Sequence, residues 1–197
     1  MNRLIILILA LLLWSCNERS VQLPQLSQAQ LPTEVTDYSP IYIFFNENSG
    51  LADLNRKNMI STTHWVFNID KRLPLSEVGK TMLIMQKKRA TMSFHSNPDA
   101  KNYFTIADMH DHKYKFLEFT TTQFEVITEI QNQDKILEIS DFKNIKHLIE
   151  TLKANPSETI SMDGSISFQD FVVFLQKIQE VGLFFKTITI LDIDKVK

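Results

Sequence analysis

The sequence has little cysteine, little glycine and no excess of charge. One cysteine in 197 residues cannot form an intramolecular disulfide. Four glycines are too few for the many tight turns of a sandwich or barrel, and they leave no glycine-rich phosphate loop. A net charge of −2 predicts no basic surface, so we expect no nucleic-acid partner. Since a G-x-S-x-G motif is also missing, we expect a non-catalytic protein without a cofactor.

The chain does contain ample material for a core. It has 14 phenylalanines and seven methionines, and 44% of its residues are hydrophobic. This composition predicts one domain over residues 41–197, with a division into 41–130 and 131–197 as the alternative.

The first residues have the pattern of an export signal. Arg3 precedes an apolar run over residues 4–13, which is about half the length that spans a bilayer. The segment Leu13-Trp14-Ser15-Cys16 follows, and it resembles the lipobox of bacterial lipoproteins. The resemblance implies that residues 1–15 are a signal peptide and that Cys16 carries the lipid, which accounts for the single cysteine.

The lipobox resemblance also implies a location. The protein would be held at a membrane through lipid on Cys16. Asn17 follows the cysteine, and by resemblance to enterobacterial sorting rules this implies the outer membrane, facing the periplasm or the cell surface. Residues 16–40 are rich in Gln, Pro and Ser and have no helical or strand period, so they predict a lipidated cysteine and a flexible tether.

The remainder alternates between strand and helix patterns. We predict an α+β fold with a small mixed sheet, amphipathic helices on one face and a C-terminal β-α-β-α-β unit. A duplication would fit this order, but the sequence has no visible residue-level repeat. The predicted strands cover 41–45, 64–70, 102–107, 113–119, 124–130, 136–139, 159–162 and 186–192, and the predicted helices cover 74–90, 144–154 and 167–182.

The C-terminal third, residues 136–191, resembles the periplasmic domain of the ExbD/TolR biopolymer-transport family. The shared features are a helix stopped by Asn155-Pro156, a strand ending at Asp163, and an amphipathic helix before a closing strand. The family's anchor is a transmembrane helix with an acidic residue, whereas residues 4–15 contain no acid. The resemblance therefore implies a small periplasmic binding fold and not energy transduction.

One group of residues is a candidate metal site. If the segment containing Asp108, His110 and His112 is a strand, the two histidines project from one face and could hold Zn²⁺ or Cu²⁺. A third ligand would have to come from His64 or His95. The alternative is a polar hairpin turn, which the missing third ligand favours, so we expect no bound metal.

The segment Asp163-Gly164 has some features of a calcium loop. Aligned with an EF-hand, however, its first position is Thr159 and its last is Asp170, too few carboxylates for a good site. The segment therefore predicts a turn followed by a helix cap formed by Ser167 and Asp170.

Three further patterns are assigned to core or surface. The basic run Lys87-Lys88-Arg89 predicts the solvated end of a helix, and Trp65 predicts core more than a ligand platform. The last helix has a buried face and a polar face that is a candidate contact surface for an envelope partner. The buried face comprises Phe171, Phe174, Leu175 and Ile178, and the polar face comprises Gln169, Gln176, Lys177 and Glu180.

These observations predict a cell-envelope lipoprotein that acts as a non-catalytic interaction or accessory module. Its expected partners are the membrane, through lipid on Cys16, and an envelope protein. The alternatives are a metal-binding protein that uses the Asp108–His112 cluster and an envelope hydrolase of unrecognised type.

Overall fold

The computed structural model describes residues 19–91, 97–129, 136–137, 144–154 and 156–192. The order of elements follows the predicted order, with β1 and β3 as additions that the sequence analysis missed. The strands are β1 (Gln25–Leu26), β2 (Tyr38–Phe45), β3 (Ala52–Asn55), β4 (His64–Ile69), β5 (Asn102–Asp108), β6 (Tyr114–Glu118), β7 (Gln123–Ile127), β8 (Ile136–Leu137), β9 (Thr159–Asp163) and β10 (Thr187–Leu191). The helices are α1 (Leu75–Thr91), α2 (Ile145–Ala154) and α3 (Phe168–Glu180).

The strands form two sheets where one was expected. In the large sheet the parallel strands β2, β4 and β5 lie between antiparallel edge strands β3 and β6, and β1 pairs with the end of β5. The small sheet has the order β7-β10-β9-β8 and is entirely parallel. The α+β class is confirmed, and β8-α2-β9-α3-β10 is the predicted C-terminal unit.

The two sheets contain two copies of one unit, β4-α1-β5 and β9-α3-β10. In each copy an aspartate ends or follows the first strand, and it accepts a hydrogen bond from the backbone N–H two residues further on. These bonds are Arg72 N to Asp70 and Ser165 N to Asp163, at 3.1 and 2.8 Å. Apolar residues then recur at a constant shift of 93 positions, as in Leu73 and Ile166, Leu75 and Phe168, Val78 and Phe171, Met82 and Leu175, and Met85 and Ile178.

The duplication that the order of elements allowed is therefore present in the structure, without a repeat of residue identities. The repeat escapes notice because burial requires an apolar residue of suitable size and not a particular one, so the copies share a pattern with few identities.

The two turns pair with each other around a local twofold axis. The backbone N–H of Leu75 donates to the carbonyl of Ile166, and that of Phe168 donates to the carbonyl of Leu73, each at 2.8 Å. The two bonds are equivalent, because at the shift of 93 positions Leu75 corresponds to Phe168 and Leu73 corresponds to Ile166. A second equivalent pair joins Ser76 N to Gly164 O and Gln169 N to Lys71 O, at 2.9 and 3.2 Å. The chain is thus an internal pseudo-dimer.

A single aromatic core joins the two repeats. Phe104 of β5 is fully buried, and its ring stacks on that of Phe119 with 3.8 Å between centroids. The ring also meets Phe168 and Phe171 of α3, at 5.3 and 6.4 Å. The first repeat also contacts the small sheet. Gly79 of α1 lies so close to Ile190 of β10 and Val126 of β7 that a side chain at this position would crowd both. α1 and α3 therefore each contact the sheet of the other repeat.

Most of the predicted tether is part of the fold. β1 pairs with β5, and Leu26 and Ala29 are buried. The carbonyl of Pro32 accepts a hydrogen bond from the N–H of Phe116, so this segment also covers the edge of β6. The tether prediction for residues 22–40 is wrong because edge strands supply backbone partners that no periodicity reveals. Between Cys16 and Gln22, a stretched chain reaches only about 20 Å.

Candidate functional site

A cavity of about 240 Å³ lies where β4 and β5 begin and α1 ends. We call it the Arg89 cavity. Its lining is largely apolar, as in small-molecule sites, where a few polar groups give orientation. The larger apolar side chains are Trp65, Phe67, Met82, Met85 and Phe119, and the polar ones are Gln86, Arg89, Asn102, Thr120 and Gln123.

Arg89 stacks on Trp65 inside this lining. The guanidinium carbon lies 3.8 Å from the centroid of the indole ring, which is a close cation–π contact. Trp65 is buried, and its indole N–H donates to the carbonyl of Ile60 at 2.9 Å. That hydrogen bond fixes the plane of the ring, and the ring in turn orients the guanidinium.

The guanidinium of Arg89 has unused hydrogen-bonding capacity. Its Nε and Nη2 atoms are buried and have no hydrogen-bond partner among the described residues. A buried cation is normally paired with an anion, because desolvation disfavours the charged form. Burial here lowers the pKa of Arg89 to about 10, so the side chain is still charged at neutral pH. Within the part of the chain that the structure describes, Arg89 is thus a positive charge without a counter-ion.

Two polar side chains near Arg89, those of Gln86 and Asn102, differ in whether they already have hydrogen-bond partners. Gln86 donates to Thr122 O and Gln123 Oε1 and accepts from Phe124 N, so its amide is fully used. The side-chain oxygen of Asn102 is buried and without a partner in the described part of the chain. Arg89 and Asn102, which both line the cavity, therefore leave two donors on one edge of a guanidinium and one acceptor unpaired among the described residues, and all three atoms are covered in the free protein. The set is suited to an anion that also carries a hydrogen-bond donor.

A second cavity, of about 330 Å³, occupies the equivalent place in the other repeat. The shift of 93 positions relates Glu158 to Trp65, and Gly182 to Arg89, and each of these four residues lines its own cavity. The second cavity thus lacks both the aromatic platform and the cation at these positions. It opens beside Phe184, whose side chain is 69% exposed. Of these two cavities, only the first has a cation at this position.

Of the candidate metal ligands, only the two histidines lie in the hairpin turn that follows β5. Asp108 ends β5 and is buried, whereas His110 and His112 are exposed and His112 has a positive φ of 57°. Backbone N–H groups of His110 and Ala29 donate to Asp108 and hold the pKa of its carboxyl below the ordinary value, although burial opposes this. The carboxyl of Asp108 therefore organises the turn and the N-terminal segment.

The proposed third ligand is not at this turn. His64 begins β4, and its Nδ1 accepts from the N–H of Lys101 at 2.8 Å, at the other end of β5 from Asp108. His95 lies outside the described residues. Among the residues that are described, no three His, Cys, Asp or Glu side chains are placed to hold a metal ion.

Around Asp163 the structure contains the predicted turn and cap. Both the N–H and the hydroxyl of Ser165 donate to Asp163 Oδ1, at 2.8 and 2.7 Å. Ser167 is the N-cap of α3 and accepts from the N–H of Asp170 at 3.1 Å.

The polar face predicted for α3 is only partly a surface. Its predicted apolar face is buried as expected. Gln176, however, is 3% exposed and donates to Glu180. Gln169 accepts from the N–H of Gln25 and donates to its carbonyl, so it holds β1 in place. The prediction is wrong for these two glutamines, because Gln176 is buried and Gln169 is hydrogen-bonded to β1, and helical periodicity reveals neither.

Arg89 was assigned to a solvated helix end, and its largely buried guanidinium corrects that assignment. One signal in the sequence could have revealed it. Met82, Met85 and Arg89 follow one another at helical spacing, so the arginine continues the buried stripe of α1. A cation on a buried stripe is a better indicator of a site than a basic run.

Cys16 and the rest of the apolar leader lie outside the described residues. In the part that is described, no helix has the length and apolarity needed to cross a bilayer. Comparison of the chain with known protein families, with curated proteins and with solved structures finds no significant match. The lipobox and the ExbD/TolR resemblance therefore stay predictions from the residues.

Proposed function

We propose that the protein is a lipid-anchored component of the bacterial cell envelope, and that its folded domain is a non-catalytic module that binds an anionic group. The unpaired, buried guanidinium of Arg89 carries the second part of this proposal. A buried charge without a partner destabilises the free protein, so its presence is explained by a ligand that completes it. The lipobox at Cys16 supports the first part.

The short link before the fold bears on how the module would work. Gln22 is already held by the domain, because its N–H donates to Asp70 and its carbonyl accepts from Lys71 N. Lipid on Cys16 would then keep the domain within about 20 Å of the bilayer. We propose the outer membrane as that bilayer, facing the periplasm or the cell surface, and an envelope component as the source of the anionic group.

Replacement of the lipidated residue tests the anchor. In cells grown with an alkyne-tagged fatty acid, the wild-type chain should become labelled and fractionate with membranes. Cys16→Ser should lose the label, because the hydroxyl of serine does not replace the thiol that carries the lipid. Ser15→Ala is the matched control, since it keeps a small residue before the cysteine and should retain the label. Equal labelling of Cys16→Ser and wild type would refute lipid attachment at Cys16.

A further inference from the structure

We propose that the Arg89 cavity binds a small carboxylic acid with an apolar body and a hydroxyl or amine donor. This inference rests on the proposed function and names the ligand class of the same cavity. It follows from three properties of the site, which are the free edge of the guanidinium, the apolar lining and the volume.

The free edge of Arg89 selects the anion. Nε and Nη2 lie on the same side of the planar guanidinium and donate in parallel, which matches the two oxygens of a carboxylate. The guanidinium carbon lies 3.8 Å from the centroid of the Trp65 ring, and Nε and Nη2 are covered in the free protein. A carboxylate would bind edge-on once a side-chain movement uncovers these two atoms.

The lining and the volume select the rest of the ligand. Phe67, Phe119 and the two methionines of α1 offer apolar contacts to an aromatic or short aliphatic body. A cavity of about 150 Å³ accommodates benzene, so the 240 Å³ here correspond to roughly ten non-hydrogen atoms. The free oxygen of Asn102 would accept a hydrogen bond from a hydroxyl or amine on that body.

The second cavity provides the internal comparison. It is larger and also apolar, but a glycine stands at the position equivalent to Arg89. If apolar volume alone determined binding, both cavities would take the same molecules. If the guanidinium determines it, carboxylates bind in the first cavity and depend on Arg89.

Titration calorimetry on the mature protein in lipid nanodiscs tests the proposal, with empty nanodiscs as the blank. The probes are benzoate, 4-hydroxybenzoate and hexanoate, with benzamide as the neutral analogue of benzoate. Ligands of this size should bind with dissociation constants of about 10 µM to 1 mM. Benzamide should bind at least about tenfold more weakly than benzoate, and 4-hydroxybenzoate should bind more tightly than benzoate.

Variants assign the binding to the cavity. Arg89→Met should weaken benzoate binding by about 10- to 100-fold, the usual range for hydrogen bonds to a charged group. Arg89→Lys, which keeps the charge but not the parallel donors, should recover only part of the affinity. Phe184→Ser, in the second cavity, should leave the affinity for benzoate unchanged. Arg89→Met should not lower the midpoint of thermal unfolding of the free protein, so weaker binding would not reflect loss of structure.

The outcomes separate this inference from the proposed function. Equal binding of benzoate and benzamide, or unchanged binding by Arg89→Met, would overturn the carboxylate assignment. Phenyl phosphate binding more tightly than every carboxylate, with dependence on Arg89, would overturn the ligand class and leave an anion-binding module. Failure of all carboxylates and of phenyl phosphate to bind would overturn both the carboxylate assignment and the anion-binding module. The lipid anchor would be unaffected by that result, because labelling at Cys16 tests it separately.

Discussion

Phe104→Ala should lower the free energy of unfolding by about 3–5 kcal/mol, a large share of the total for a domain of this size. Phe104 is fully buried and is the ring at which the two repeats meet. Its neighbours are Phe67 and Phe119 on one side, and Phe124, Phe168 and Phe171 on the other. Removing the ring leaves a cavity that both repeats border, and neither can close it alone.

Chemical denaturation followed by circular dichroism measures this effect. A single transition should move to lower denaturant in the variant, because one core serves both sheets. Phe184→Ala is the control, since that side chain is exposed and its loss should change stability by less than about 0.5 kcal/mol. Two separate transitions in the wild type, or a loss below about 1 kcal/mol in Phe104→Ala, would contradict a shared core.

Asp70→Ala should cost about 2–3 kcal/mol, the second-largest effect that we expect. The side chain of Asp70 is 0% exposed and pairs with Arg72, which is 33% exposed. It accepts from Arg72 Nε and Nη2 and from the backbone N–H groups of Arg72 and Gln22, at 2.9 to 3.2 Å. The substitution therefore frees the start of the N-terminal segment and leaves the guanidinium without this partner.

The matched control is the same position in the other repeat. Asp163→Ala removes only the two hydrogen bonds that the Asp163 side chain accepts from Ser165, so we expect the free energy of unfolding to fall by less than about 1 kcal/mol. Denaturation of both variants under identical conditions compares the two copies directly. Equal losses would mean that the turn, and not the ion pair, is what Asp70 contributes.

The effect of Asp70 should also depend on pH. Burial raises the pKa of this carboxyl, but the hydrogen bonds from Arg72 and Gln22 outweigh it and hold the pKa below the ordinary value. Because the pKa is lower in the folded than in the unfolded chain, the stabilisation is complete above about pH 4 and is lost as the pH falls towards the folded value. The difference between wild type and Asp70→Ala should therefore shrink in acid.

Local patterns were sufficient to predict the secondary structure of the second repeat. Alternation and helical spacing located α2, α3 and β9, and the Ser167 cap lies where its residue pattern indicated. These features depend on neighbours a few positions apart, so the linear sequence contains the information. The same holds for the lipobox prediction at Cys16, which depends only on consecutive residues.

Long-range pairing determined the remaining features. Residues 22–40 have no period of their own, and they became part of the fold because β5 and β6 had backbone groups to pair. The duplication became visible only where its two turns hydrogen-bond to each other, since the copies share apolar character and not identity. The basic run that ends in Arg89 gave no sign of its environment, because the burial and pairing of a cation depend on side chains distant in sequence. By itself the sequence determined most of the elements, their order and the candidate anchor. The tertiary structure decided which strand edges are covered, which repeat carries a buried cation, and that this cation has no counter-ion among the described residues.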